Sequence, residues 1–373
     1  MSVLIRTERN DIHGHALIWA LGSLGIPCDR WSMADFPEGG LASIRVSNAK
    51  PLSLSMSGLS FGERYTSIWL RRVVQPSRVS DRLAAADVKM ALLESKRFDE
   101  AFRTVLFPGS VWINPPNRKA EAASKPHQLR TARQVGFAIP ETLFSNDPGE
   151  IRQFYEEQQG RIIYKPFAPA FWEDRSSQKV NSLFTSRITE SHFDQDSVAF
   201  TSCPGIYQEE IEKKAELRVT FFGSSFQAAR IYSQQTASGK LDFRSDMRGE
   251  SPMEAATLGP STVDQCLTLL SALGLLHGSF DLVEKPDGSI VFLEINEMGQ
   301  FLWLEERIPQ LPLLAMFAAF SLEPSFEFVF EPRRWPAISF QKFLASDAYS
   351  LFREDLAQYV AASSETKAFC YPE

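Results

Sequence analysis

Apolar residues in the first 115 positions come in two kinds of run that take turns along the chain. Compact strand-like stretches (SVLIRT from Ser2, SIWLRR from Ser67, SVWIN from Ser110) alternate with longer helical ones (HALIWALGSLG from His15, and Asp81 to Leu106). That alternation predicts a small parallel α/β domain over 1–117, opening with a strand, a polar loop and an amphipathic helix. Asn114-Pro115-Pro116-Asn117-Arg118 reads as a linker, because two prolines continue neither element.

A second unit, expected over 118–205, opens with a helix led by Lys125-Pro126 and closed by Gly136, with Pro140 beyond it. A helix at 148–159 follows, then the strand RIIYKPF from Arg161. Residues 161–232 read mostly as strands, with a hairpin turning near Gly223-Ser224. A third unit, over 206–324, adds a polar loop at 234–260 and an amphipathic helix at 261–275. Two strands (278–285 and 289–296) and a helix near 309–321 complete it. Residues 325–373 are expected as a separate extension, helical through SDAYSLFREDLAQYVAA, which could cover a site, dimerise or hold a substrate. The overall expectation is an α/β protein with α+β lobes.

The sharpest local pattern is FDLVEKPDGSIVFLEIN, from Phe280. Asp287-Gly288 predicts a two-residue hairpin turn, which sets Pro286 against Ser289 and, counting outward, Asp281 against Glu294. Asn296, two residues on, shares a face with Glu294. Facing carboxylates repel unless something offsets them. A divalent cation does so, and an all-oxygen set suits Mg²⁺. The bland alternative is a solvated hairpin with chance acids. The apolar neighbours Phe292, Leu293 and Ile295 argue that the acids are placed.

Composition narrows the field. Hydrophobic residues at 44% and charged ones at 23% are ordinary for a folded soluble chain. Net charge is −7 with no basic block, so nucleic acid is not an expected partner. No apolar run reaches membrane-spanning length, and the N-terminus lacks the features of a signal peptide. Cys28, Cys203, Cys266 and Cys370 are scattered without metal spacing, which predicts free thiols and a cytoplasmic setting. His13, His15, His127, His192 and His277 are equally scattered and offer no general base.

Seven blocks in order resemble the ATP-grasp superfamily, and more narrowly the graspetide (microviridin-type) ligases that macrocyclise ribosomal peptides. They are IWLRR (68–72), KPHQLRTARQVGFAIPETLFSN (125–146), IIYKPF (162–167), YQEEIEKKAELRVTFFG (207–223), DFRSDMRG (242–249), LGLLHGSFDLVEKPDGSIVFLEIN (273–296) and GQFLWLE (299–305). The resemblance implies an ATP-grasp fold with an N-terminal pre-ATP-grasp domain, and ATP and Mg²⁺ as cofactors. Asp281, Glu294 and Asn296 would then be the metal ligands, and Lys125 and Lys165 the phosphate-contacting lysines, where an isolated lysine reads as a surface residue. Gln208, Glu209 and Ile211 would form the adenine hinge, with Glu216 near the ribose. Arg218, Arg244 and Glu216 would serve catalysis, with Asp242 and Arg248 in the loop beside the reacting groups. Read as bare residues, Glu216 and Arg218 are also compatible with a cross-strand ion pair.

The chemistry implied is two-step acyl activation. A peptide Asp or Glu side chain becomes an acyl-phosphate, and a hydroxyl or amine of the same peptide closes an ω-ester or ω-amide ring. The implied partner is a ribosomal precursor peptide with a leader and an acidic core, and the resemblance allows a homodimer. Two rival readings share the nucleotide site: an intermolecular amino-acid ligase of the ribosomal-protein glutamate ligase type, and a non-catalytic ATP-binding module. Departures from the family pattern are Met298 in place of a second Asn, and a loop after Lys165 too poor in glycine to assign as a phosphate cradle. Trp69, Arg71 and Arg72 leave two readings open, a substrate-side wall or a strand end with two solvated arginines.

Overall fold

The computed structural model describes residues 1–373 except 33–35, 38–39, 57–64, 73–78, 81, 106–108, 168–169, 175–178, 184, 195–197, 247, 336–337 and 366–373. It describes the backbone alone at 170–174, 179–183 and 359–365. Cys370 and part of the loop following Lys165 lie outside the described residues.

The N-terminal region holds β1 (Val3–Arg6), α1 (Ile12–Gly22), β2 (Cys28–Trp31), β3 (Ala42–Arg45), β4 (Ser53–Met56), β5 (Ser67–Leu70), α2 (Val88–Val105) and β6 (Val111–Ile113). Strands β2-β1-β5-β6 form one sheet, parallel at every junction, as the alternating pattern predicts. The hairpin β3–β4 stands outside it and was not legible in the sequence. Trp69 is buried against Phe317, and Arg71 is also buried, so the reading of two solvated arginines fails for Arg71.

Pro116 does not end a unit; it opens α3 (Pro116–Ala122), a position where the missing N–H is no loss. Then come α4 (Lys125–Gln134), β7 (Thr142–Ser145), α5 (Pro148–Glu157), β8 (Ile162–Lys165), β9 (Ala170–Asp174), β10 (Lys179–Leu183), β11 (Ser186–Arg187), α6 (Val198–Ser202) and β12 (Gly205–Glu209). The antiparallel sheet β11-β8-β12-β7 packs its apolar side chains against Ile151 of α5 and Phe200 of α6. Because β12 pairs with β7 and β8, the change of sheet falls after Glu209, beyond the expected boundary at 205/206.

The third group is β13 (Ala215–Phe222), β14 (Ser225–Ile231), β15 (Met253–Ala256), α7 (Pro260–Leu273), β16 (His277–Glu284), β17 (Ile290–Asn296), α8 (Leu302–Arg307) and α9 (Leu313–Leu322). Its sheet, β15-β14-β13-β16-β17, is antiparallel, and Phe222 pairs with Ser225 around the expected Gly223-Ser224 turn. Leu217, Val219, Phe221, Phe280, Leu282 and Phe292 face α4 and α7 in one core cluster. The alternate positions carry the polar residues discussed below.

Residues beyond 325 do not form a detached extension. Helix α10 (Phe340–Leu344) and helix α11 (Asp347–Glu365) pack on α1, and Phe340 and Phe343 join Leu17, Ala20 and Phe317 in one cluster. This explains why α1 is apolar nearly all round: it is covered by more than one partner. Glu305 ties the arrangement together, its two carboxylate oxygens accepting the Phe340 N–H at 2.6 Å and the Leu314 N–H at 2.7 Å.

Burial pushes the Glu305 carboxyl up to about 7, against the pull of those backbone donors. The unfolded chain binds that proton only near the ordinary carboxylate value. The folded state therefore holds the extra proton between the two values, and this group's contribution to stability falls as pH rises through that window. Glu305→Gln is expected to flatten the slope of urea-unfolding midpoints between about pH 5 and about pH 8, whatever it does to absolute stability. A slope unchanged by the substitution contradicts this.

Candidate active site

Three adjacent strands place their charges in one row. Register pairs Arg218 of β13 with Asp281 of β16, and Asp281 with Glu294 of β17. One step along, Thr220, Ser279 and Asn296 form a parallel polar row, with Thr220 and Ser279 hydroxyls 2.9 Å apart. Alternation does the sorting: the even-numbered Glu216, Arg218 and Thr220 take one face of β13, and the apolar odd-numbered residues take the other.

The facing of Asp281 and Glu294 was predicted, but the turn that predicted it is wrong. Lys285, not Pro286, pairs with Ser289, and the Gly288 N–H donates to the Lys285 carbonyl. The loop is thus Pro286-Asp287-Gly288, with Gly288 at φ 82° in the left-handed region. This moves the register by one, so that Leu282 pairs with Phe292. A bulge between Asp281 and Leu282 takes up one extra residue on β17, Leu293, and restores the pairing of Asp281 with Glu294. The two offsets cancel. The bulge also lets consecutive residues, Leu293 and Glu294, line the same cavity, which a regular strand forbids.

That cavity is about 240 Å³ and lies between the two antiparallel sheets. Lys125, Lys165, Gln208, Glu216, Arg244, Asp281, Glu294 and Asn296, all named from the sequence, line it together. Arg218 does not line it; it is buried, donating to the lining residue Asp281 at 2.7 Å and to the Gln300 carbonyl at 3.1 Å. Asn296 donates from Nδ2 to the other Asp281 oxygen at 3.1 Å, which leaves its own Oδ1 for a further partner. Lys125, at the start of α4, donates to Glu294. Arg244 approaches Glu294 at 3.5 Å and is gripped by both Asp242 oxygens at 2.8 Å, while Thr185 donates to Asp242 at 2.8 Å. On the opposite sheet Lys165 donates to Gln208 at 2.6 Å, and Gln208 donates to Thr142 at 3.0 Å.

Two expected hinge residues do not reach the cavity. Glu209 turns its carboxylate to the Glu141 N–H at 3.3 Å, and Ile211 lies outside the lining. Arg248 is exposed, 3.8 Å from Glu250, and also lies outside the lining. The apolar walls are instead Leu129, Phe144, Phe167, Ile206, Leu241, Phe243 and Leu293. Sequence reasoning also missed Lys213, which donates to Glu216 and to the Leu241 carbonyl, each at 2.9 Å. Its spacing three residues before Glu216 was the available signal.

The electrostatics follow from burial. Burial pushes Glu294 up, but Lys125 and Arg244 override it and hold the carboxyl well below the usual range. Asp281 is raised, because burial outweighs the pull of Arg218. Burial lowers the Lys165 ammonium to about 8, against the raising pull of Glu294. Burial also opposes the ionised form of Asp242, yet Arg244 and Thr185 bring it down to about 2. The lining therefore carries Lys125, Lys165, Lys213 and Arg244 against Glu216, Asp242, Asp281 and Glu294, a balanced set. A polyphosphate entering it would take Lys125 and Arg244 as partners and leave Glu294 uncompensated opposite Asp281, whose partner is Arg218; a hard divalent cation would satisfy the excess charge. The oxygen-only donors Asp281, Glu294 and Asn296 Oδ1 fit Mg²⁺ on that ground.

No protein-family model matches the sequence, and no curated protein matches it significantly. Solved structures do match. The macrocyclase MdnC of Microcystis aeruginosa MRC, solved with its precursor peptide MdnA, has a TM-score of 0.74 at 24% identity, over 87% of this chain and 100% of MdnC. The macrocyclase MdnB of the same organism gives 0.69 at 27% identity, over 86% and 99%. The ATP-grasp ligase PsnB, complexed with minimal precursor, Mg and ADP, gives 0.67 at 22% identity, over 87% and 96%. The chain thus has the fold of these ligases, the ATP-grasp fold that the sequence blocks resemble. No helix among the described residues is long and apolar enough to cross a membrane.

In ligand-free protein the Lys165 ammonium is expected to titrate near pH 8. Glu294→Gln, which removes the anion that raises it, is expected to lower that value further. Nitrogen-detected NMR titration of the lysine side chains checks the sign, and a raised value in the variant contradicts the arrangement.

Proposed function

We propose that this chain is an ADP-forming ligase that activates Asp or Glu side chains of a ribosomal precursor peptide and closes ω-ester or ω-amide rings. The observation that carries the reading is the single cavity in which Lys125, Lys165 and Arg244 surround the facing carboxylates Asp281 and Glu294, with Asn296 beside them. The similarity to MdnC and PsnB, both solved with a precursor, supports a peptide as the partner. In this reading a leader would give affinity and an acidic core would react.

In this reading Phe144, Ile206 and Leu293 would hold the base of ATP and Glu216 its ribose. Asp281, Glu294 and Asn296 would hold Mg²⁺, which supplies charge neutralisation across the phosphates. Lys125 and Lys165 release their present protein partners and turn to phosphate oxygens. A peptide carboxylate oxygen attacks the γ-phosphorus, the bond to the bridging oxygen breaks, and ADP leaves. Arg244, held by Asp242, would stabilise the acyl-phosphate charge through a fixed guanidinium, and Arg218 would act at one remove, through Asp281. A hydroxyl or amine of the peptide then attacks the acyl carbon, and phosphate departs with the electron pair. The attacking group's proton is lost to solvent.

ADP release is expected only in the presence of an acidic core peptide, with one water lost from the peptide per ring by mass spectrometry. Asp281→Asn and Lys165→Met are each expected to lower turnover by at least about a hundredfold. Peptide that gains mass contradicts cyclisation in favour of intermolecular ligation. Turnover without peptide, or full activity in Asp281→Asn, contradicts the assignment.

A further inference from the structure

The segment that leaves the metal-bearing strand is held by side chains from distant parts of the chain. After Asn296, the Glu297 carbonyl accepts Asn114 Nδ2 at 2.8 Å. The Met298 and Gly299 carbonyls both accept Arg71 Nη1, at 3.1 and 2.9 Å. The Gln300 carbonyl accepts Arg218 Nη2, from the arginine that grips Asp281. The Phe301 and Leu302 N–H groups both donate to His13 Nε2, at 3.1 and 3.2 Å. Gly299 sits at φ 55°, where a Cβ would collide with the His277 ring.

Two of these holders converge on one buried carboxylate. Asp11, with no exposed surface, accepts Arg71 Nε at 3.1 Å on each oxygen, and the Thr7 hydroxyl at 2.6 Å. His13 Nδ1 lies 3.8 Å from the same carboxylate. Because His13 Nε2 accepts two backbone donors, its proton belongs on Nδ1, the nitrogen that faces Asp11. Asp11 therefore orients the Arg71 guanidinium and lies beside the imidazole whose tautomer the two backbone donors set, and Arg71 and His13 both act on residues 298–302. It sits in the β1–α1 loop and Arg71 just past β5, so the hold is exerted from the N-terminal sheet. A buried ion pair is weak grounds for stability, since its desolvation offsets most of its attraction. Its placement beneath the metal strand calls for another role.

We propose that Asp11, acting through Arg71, is a positioning residue that sets the loop at 297–302 and with it the cation affinity of the site at Asp281, Glu294 and Asn296. This rests on the ligase reading above. Neither Asp11 nor Arg71 lines the cavity, so their effect is through geometry. Residues that orient metal ligands in this manner typically change affinity by about 10- to 100-fold.

The test uses the full chain and two measurements on Asp11→Asn and Arg71→Lys. The first is the Mg²⁺ concentration that gives half-maximal ADP binding by calorimetry; the second is amide hydrogen exchange at Phe301 and Leu302 with no metal or nucleotide present. Both variants are expected to raise the Mg²⁺ requirement by about tenfold or more and to speed exchange at those two amides. Phe102→Leu, in a separate N-terminal cluster with Leu4, Trp31 and Ile68, is expected to lower the melting temperature and leave both readouts unchanged. If Asp11→Asn fails to fold, Arg71→Lys, which keeps the buried charge, carries the test. Wild-type exchange rates with a Mg²⁺ requirement within about twofold of wild type overturn the proposal. Absence of Mg²⁺-dependent ADP binding in the wild type overturns the ligase reading instead, and the exchange arm still decides whether Asp11 holds the loop.

Discussion

Everything in this protein's central cavity is arranged around two carboxylates that face each other across buried strands. Asp281 and Glu294 are register partners, and a buried carboxylate left without a partner costs several kcal/mol. The chain meets that demand with charges drawn from three different elements. Arg218 comes from the adjacent strand, Lys125 from the first turn of α4, and Arg244 from a loop itself pinned by Asp242. These cations hold Glu294 ionised while burial still raises Asp281. Such an arrangement is poised for exchange. In the proposed reading, phosphate oxygens would compete for Lys125 and Arg244, and either one turning away would leave Glu294 charge for a metal to take up.

The same constraint explains why the cavity is shared between two sheets. The strand face that carries Glu216, Arg218, Thr220, Ser279 and Asp281 backs onto a core of Leu217, Val219, Phe221 and Phe280 packed on α4 and α7. A rigid apolar layer thus fixes the polar one from behind. The facing sheet supplies Lys165 through Gln208 and Thr142, so the ammonium sits in low dielectric with its charge already disfavoured. An anion entering between the sheets would find Arg244 already held by Asp242, a donor that needs no reorganisation, while Lys125 and Lys165 would change partners.

Much of this was legible in the sequence, for reasons that differ from element to element. Alternation in AELRVTFF and HGSFDLVE separates charged from apolar faces, and period-two geometry turns that directly into structure. The facing of Asp281 and Glu294 was read correctly through a compensated error. The turn holds three residues instead of two, and a bulge at Leu293 restores the count. Bulges leave no simple compositional mark, so a register count across a hairpin is safest near the turn. Glu209 and Ile211 were expected at an adenine hinge from resemblance alone; neither is among the lining residues, and the Glu209 carboxylate accepts from the Glu141 N–H. Lys213 and Asp11 went unread because each acts through a partner distant in sequence or on another element. The packing of α10 and α11 on α1 escaped for a similar reason: a strongly apolar helix announces that it is covered, but not by what.

The central claim is that the Asp281–Glu294 hairpin is a cation site engaged together with a nucleotide. It is tested most directly by anomalous diffraction from crystals grown with Mn²⁺ and a non-hydrolysable ATP analogue. The account predicts a manganese peak in contact with Asp281, Glu294 and the Asn296 Oδ1, with Lys125 and Lys165 turned to the phosphates. A nucleotide bound in the cavity with no metal between those carboxylates, or manganese bound elsewhere, would contradict it.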